Sequence, residues 1–285
     1  MKRFDLLGVP GVGKTTTYNL LRQCRNNPNE FLLFEEAYRS VILSKSSPLV
    51  QFAFNFESLI PKKRYSIRFV NILNKWLDDK LRSKTSRVEN DNLFQAIYDL
   101  GDNYPDFLSL TLNGIGKQSL TESNIHPSDY FGFLIVIATR LNRYDLLQRL
   151  LGEKTTVVFD SSFTHKVFSI VDFSQKINPD LITRYIRSMP QPNGVIILHA
   201  LQDVIVGRIR HRAKEGKVSA WHSPIVDTPL LEEWVDKACE VIQYTRTSLE
   251  DNSVPVIELD AEKQPSTIAQ RAVEFILDNK IFRNY

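Results

Sequence analysis

Residues 8–17 read GVPGVGKTTT and follow directly on the apolar run RFDLL. Gly8 to Thr15 fits the pattern G-x-x-x-x-G-K-[ST]. Such a loop needs glycines so that successive backbone N–H groups turn inward around phosphate oxygens. It also needs a strand before it and a helix after it, whose N-terminal dipole favours the anion. The stretch therefore constrains both fold and ligand. It predicts a parallel α/β sheet with the loop at a strand's C-terminal end. Gly8, Pro10, Gly11, Val12, Gly13, Lys14, Thr15 and Thr16 are the expected nucleotide-binding residues. Lys14 would reach the outer phosphates of ATP, and the Thr15 hydroxyl would help hold Mg²⁺.

Five short apolar runs read as buried parallel strands, apolar on both faces. They are Arg3–Leu7, Phe31–Phe34, Thr155–Phe159, Gly194–Leu198 and Val254–Leu259. Helical patterns separate them: one from Lys14 to about Cys24, one capped by Asp203, one over Leu230–Leu249, and a last one after Pro265 with Ser266 as its cap. Strand, crossover, strand is the pattern of a doubly wound sheet. Between the second and third strands lie about 120 residues, Glu35 to Lys154. That is far more than one crossover needs. The stretch predicts a helical insertion over 37–153, with helices over Tyr65–Leu81 and Phe131–Leu151 and a polar loop over Ser83–Asn92. Residues 1–36 and 154–285 would form the core, and the insertion would bind the acceptor.

The acids near the strand ends indicate chemistry. Glu35 and Glu36 follow the second strand; one of them would serve as a base toward a substrate hydroxyl. Both equally suit a helix N-terminus, where the dipole favours acids. Arg39 would bind an anionic substrate. Asp160 ends the third strand and would orient the magnesium shell beside Thr15. No second acid follows it, unlike many motor ATPases. Phe163 stands where the D-x-x-G of a GTPase needs glycine. The nearest approach to N-K-x-D, Asn74-Lys75-Trp76-Leu77, fails at its last position. Lys166 would reach substrate or phosphate. Arg208 and Arg212 share a helix face with Arg210, Lys214 and Lys217 nearby, and 218–228 would follow as a lid. Arg208 and Arg212 would neutralise transition-state charge. The patch Lys62, Lys63, Arg64 and Arg68 reads as the solvated start of a helix.

Composition excludes several alternatives. Net charge is +3, a mild excess that suits an anionic substrate without indicating nucleic acid. Two cysteines, Cys24 and Cys239, make no disulfide framework and no zinc spacing. The longest apolar run, Phe131–Ala138, is too short to span a bilayer. The N-terminus has no signal-peptide pattern. A reduced, cytoplasmic setting without membrane contact is expected, with oligomeric state open.

Taken together, the Gly8–Thr15 loop, the acids at Glu35/Glu36, Asp160, and the R-x-x-x-R of Arg208 and Arg212 resemble the nucleoside and nucleoside-monophosphate kinases of the P-loop class, including thymidylate and deoxynucleoside kinases. The final strand through Asp260-Ala261 and the helix after it also look like the segment that lines adenine in that group. The resemblance implies a P-loop NTPase-type five-stranded parallel sheet, ATP and Mg²⁺ as cofactors, and transfer of the γ-phosphate to a hydroxyl or phosphate. It covers about 150 residues at the two ends of the chain. Asp160-Ser161-Ser162-Phe163 departs from the Glu-Arg-Ser or Asp-Arg those kinases carry, so the acceptor is not named. A sugar, glycan or nucleic-acid acceptor, or an ATPase module that regulates a protein partner, are the alternatives.

Overall fold

The structure, a computed structural model, describes residues 1–27, 29–44, 101–121, 140, 143–217 and 225–281. Five strands make one sheet: β1 (Lys2–Leu7), β2 (Leu32–Leu33), β3 (Thr156–Phe159), β4 (Gly194–His199) and β5 (Val256–Asp260). Their order is β2-β3-β1-β4-β5 and every pairing is parallel. The expected P-loop-type α/β sheet is what forms. β1 sits at its centre, so the loop after β1 opens at the middle of the sheet's C-terminal edge, where ligands of such sheets gather.

Among the described residues the α-helices include α1 (Lys14–Cys24), α2 (Phe34–Ser44), α3 (Pro105–Thr121), α4 (Pro179–Ser188), α5 (Gln202–Lys214), α6 (Leu230–Asp251) and α7 (Pro265–Ile281). A 3₁₀ turn covers Thr164–Ser169, and 143–150 is helical. α1 packs against α7 on one face of the sheet; α4 packs against α6, and α3 against α4, on the other. On α6, Leu231, Val235, Ala238, Val241 and Ile242 are buried, the stripe its 3.6-residue spacing dictates. α4 escapes a simple apolar reading because it is only ten residues long, but Asn178 caps it by accepting from the Asp180 and Leu181 N–H groups.

Boundaries shift in instructive ways. β2 shrinks to two residues and Phe34 already begins α2, which places Glu35 and Glu36 in that helix's first turn. α5 begins at Gln202 with Leu201 at its cap, so Asp203 lies inside the first turn. α7 begins at Pro265 itself, where a missing N–H costs nothing. The helix expected over Tyr65–Leu81, the loop Ser83–Asn92, the Lys62–Arg68 patch and Asn74–Leu77 lie outside the described residues. So do most of the 131–142 stretch and the lid segment 218–224.

The central strand corrects the sequence reading most. β1 is not apolar on both faces: Arg3 and Asp5 are 1% and 0% exposed. They alternate with Phe4 and Leu6, so both charges share one face. Arg3 Nε lies 3.1 Å from Asp5 Oδ1, Arg3 Nη2 donates to the Pro190 carbonyl at 2.6 Å, and Thr164 Oγ1 donates to Asp5 Oδ2 at 2.5 Å. The rings of Tyr144 and Phe163 each lie 5.1 Å from the guanidinium carbon. A buried charge is tolerable only when paired and hydrogen-bonded, and this pair is both.

Candidate active site

The loop after β1 is built as its glycines require. Gly11 and Gly13 have φ of 95° and 119°, a region that L side chains avoid. A Cβ on Gly11 would also stand 2.8 Å from Ile209 Cγ1 of α5. Lys14, the first residue of α1, folds back to donate to the Gly8 carbonyl at 2.6 Å. Burial pushes its pKa down to about 8, with the Arg212 charge adding to the shift and Asp160 opposing it.

Asp160 stands one residue past β3. Burial raises its pKa; Glu35 adds to this, while Lys14, Arg140 and the Thr15 hydroxyl oppose it. Its Oδ1 is buried and makes no hydrogen bond among the described residues. A hydroxyl and a carboxylate with an unused buried oxygen are a hard donor set that fits Mg²⁺. Among the described residues no three His, Cys, Asp or Glu side chains cluster as a metal cage. A cation held by Thr15 and Asp160 would thus need phosphate oxygens as further ligands.

The two neighbouring acids separate. Glu36 is clamped: Arg25 donates to both its oxygens at 2.8 and 2.9 Å, Arg22 lies at 2.8 Å, and the Leu33 N–H donates at 3.0 Å. Burial works against its charge, but these donors outweigh it and hold its pKa below the ordinary value. Glu35 instead accepts one short bond, from the Tyr18 hydroxyl at 2.6 Å. Burial and Glu35 itself raise the Tyr18 pKa far above its usual value, so Tyr18 stays a donor.

Glu35 and Asp160 both line a cavity of about 260 Å³. Its walls come from the ends of β2 and β3 and from the insertion, through Phe107, Thr111, Arg140, Arg143 and Tyr144. Arg140 Nη1 donates to the Ser161 carbonyl and hydroxyl at 2.9 and 2.8 Å. Lys166 lines the cavity too, and burial beside Arg140 pushes its pKa down to about 8. Arg39 is exposed on α2, outside this lining.

The two arginines of α5 also part company. Arg208 donates to the Val12 carbonyl at 2.6 Å and to the Ala261 carbonyl at 2.9 Å. It ties the loop after β1 to the turn after β5. Arg212, one turn on, is exposed and close enough to depress the Lys14 pKa. Both line a groove with Gly11, Gly13, Thr16 and Ala261. Arg210 pairs with Glu232 at 2.7 Å and Lys217 with Glu215 at 3.0 Å, so only part of the cationic helix faces the loop.

Sequence reasoning missed Tyr18, Arg140 and Arg3 as site residues. Tyr18 lies one turn past Lys14, a position any core aromatic would fill. Arg140 belongs to no local motif. Arg3 reads as a strand-end charge.

No protein-family model matches the chain, and no curated protein does. Among solved structures it is similar to the crystal structure of EHV4-TK, a thymidine kinase, complexed with TP4A. The TM-score is 0.35 at 13% identity, over 97% of this chain and 90% of that one. A superposition this loose adds nothing to the sheet order, which stands by itself. Among the described residues no helix is long and apolar enough to cross a membrane.

Proposed function

We propose that the protein is an ATP-dependent phosphotransferase acting on a small acceptor. One observation carries this: Asp160 is close to Lys14 and Thr15 of the loop after β1 and also lines, with Glu35, a separate cavity. A donor site and an acceptor site then meet at one carboxylate, which sets an acceptor oxygen beside the outer phosphate, the adjacency that in-line transfer needs. The triphosphate lies on Gly8–Thr16, with its outer phosphates against Lys14, and its base occupies the groove beside Ala261. Mg²⁺, when bound by Thr15 and Asp160, neutralises phosphate charge. Glu35, oriented by Tyr18, takes the proton of the acceptor hydroxyl. Arg212 lies where it can offset charge on the transferring group, while Arg208 holds the loop. Residues 1–36 and 154–285 act as the donor core, and Phe107, Thr111, Arg140, Arg143 and Tyr144 of the 37–153 insertion line the acceptor side. A cavity of about 260 Å³ suits a metabolite better than a polymer end.

The test is to incubate the protein with γ-labelled ATP and panels of nucleosides, nucleoside monophosphates, sugars and nucleic acids. Transfer to a small acceptor is expected. Steady hydrolysis with no transfer to any of them would sink the reading.

Nucleotide binding should also carry a proton signature. With a pKa of about 8, Lys14 in the free protein is partly neutral at pH 8. Phosphate beside it raises that pKa, so binding takes up a proton and affinity falls as pH rises above about 8. Titration calorimetry at pH 8 in buffers of different ionisation enthalpy should show uptake of about half a proton. Lys14→Met should abolish it. Proton release, or uptake that persists in Lys14→Met, would contradict this assignment.

A further inference from the structure

The cavity does not stop at the two rim acids. It runs along the sheet face to Arg3. Arg3 is in register with Val157, three residues before Asp160, which is roughly 10 Å along a strand. Arg3 Nη2 donates to the Pro190 carbonyl, and Nε faces Asp5 Oδ1 across 3.1 Å as an ion pair. Nη1, like Nε, is buried and has no partner in hydrogen-bond geometry among the described residues; the Arg3 charge also acts on the Tyr144 hydroxyl, opposing the rise in pKa that burial causes there. Ser162 Oγ, also in the lining, is buried in the same unsatisfied state. Native proteins seldom leave such donors unused unless something supplies the acceptor.

Charge points the same way. The lining holds four cations, Arg3, Arg140, Arg143 and Lys166, against two carboxylates, Glu35 and Asp160, with Asp5, behind the lining, paired to Arg3. Both carboxylates stand at the phosphate-loop end. Burial, with the repulsion of Arg140 second, lowers the Lys166 pKa, so an anion arriving beside it would raise that pKa again. The wall beside Arg3 is aromatic: the ring centroids of Phe107 and Tyr144 lie 5.5 and 5.0 Å from that of Phe163, both edge to face, and Tyr144 and Phe163 lie against the Arg3 guanidinium.

We propose that the acceptor carries a carboxylate or phosphate group at the end remote from the reacting oxygen, seated on Arg3 Nη1 and Ser162, with an apolar ring lying against the aromatic wall. The proposal rests on the phosphotransfer reading only for which end reacts; the anion seat is a binding property and is measured without ATP.

The probes are phenyl phosphate, benzoate and benzyl alcohol, titrated into the full chain and followed by ligand-observed NMR. Saturable binding of at least one anion is expected, with benzyl alcohol weaker by about tenfold or more, since a hydrogen bond to a charged group is lost. The two anions show whether phosphate or carboxylate is preferred. Arg3→Met combined with Asp5→Leu removes the buried pair together and should weaken the anion by about tenfold. Should that variant fail to fold, Arg143→Gln, at the cavity wall, should still cost about fivefold. Lys14→Met should leave the anion's affinity unchanged, which separates this seat from the phosphate loop. Equal binding of benzyl alcohol, no anion binding, or an anion lost only in Lys14→Met would overturn the proposal. Anion binding without transfer to any acceptor would overturn the phosphotransfer reading and leave the seat standing. Transfer to a neutral acceptor with no anion binding would do the reverse.

Discussion

Glu35→Gln is expected to slow phosphoryl transfer by about 10²–10³-fold while ATP affinity holds, because a positioned base contributes on that scale. Glutamine keeps the shape of the side chain and can still accept from Tyr18, which donates at 2.6 Å. What it lacks is the capacity to take a proton. Glu36→Gln is the internal control. Its carboxylate is bound by Arg22, Arg25 and the Leu33 N–H, so the loss should fall on stability, by about 1 kcal/mol given its partial exposure, with the transfer rate within about threefold of the parent. Single-turnover transfer rates, read beside denaturant midpoints, separate the two outcomes. A slow Glu36→Gln enzyme with an unimpaired Glu35→Gln would reverse the assignment.

The second large effect falls on stability. Asp5→Leu leaves the Arg3 guanidinium buried without its counter-charge, and should destabilise the protein by about 3–5 kcal/mol. That is a large share of the 5–15 kcal/mol or so that holds a typical domain. Adding Arg3→Met should recover most of the loss, since an apolar pair of similar volume often replaces a buried ion pair at little cost. Urea unfolding of the parent, single and double variants measures both numbers. A single variant that loses under about 1 kcal/mol, or a double variant no better than the single, would show that the pair is not what compensates the buried charge.

How much could be read in advance follows from how local each feature is. The loop, its helix from Lys14 to Cys24 and the five strands are written in contiguous residues, so spacing and glycine chemistry disclosed them. Asp160 was legible because it ends an apolar run. The division of labour between Glu35 and Glu36 was not, because it depends on Arg22, Arg25 and Tyr18 arriving from another helix. The buried Arg3–Asp5 pair was hidden for the same reason: pattern alone treats a charge as a marker of surface, and only Thr164, Pro190 and the rings of Tyr144 and Phe163 make it an interior residue. The cavity lies furthest from the reach of pattern. Its walls join residues near position 3, near 35, between 107 and 144, and near 160, and no window of sequence contains them. The R-x-x-x-R reading paired two arginines by helix periodicity, but periodicity does not say that the first would meet two backbone carbonyls.

That meeting has a consequence for the donor. Through Arg208, the Val12 carbonyl and the Ala261 carbonyl are held at a set separation before any nucleotide arrives. The ordering of two loops that would otherwise accompany each binding event is completed once, when the chain folds. If a triphosphate sits on the loop and its base beside Ala261, as proposed, the spacing between them is a dimension of the protein, like a gauge cut to one length.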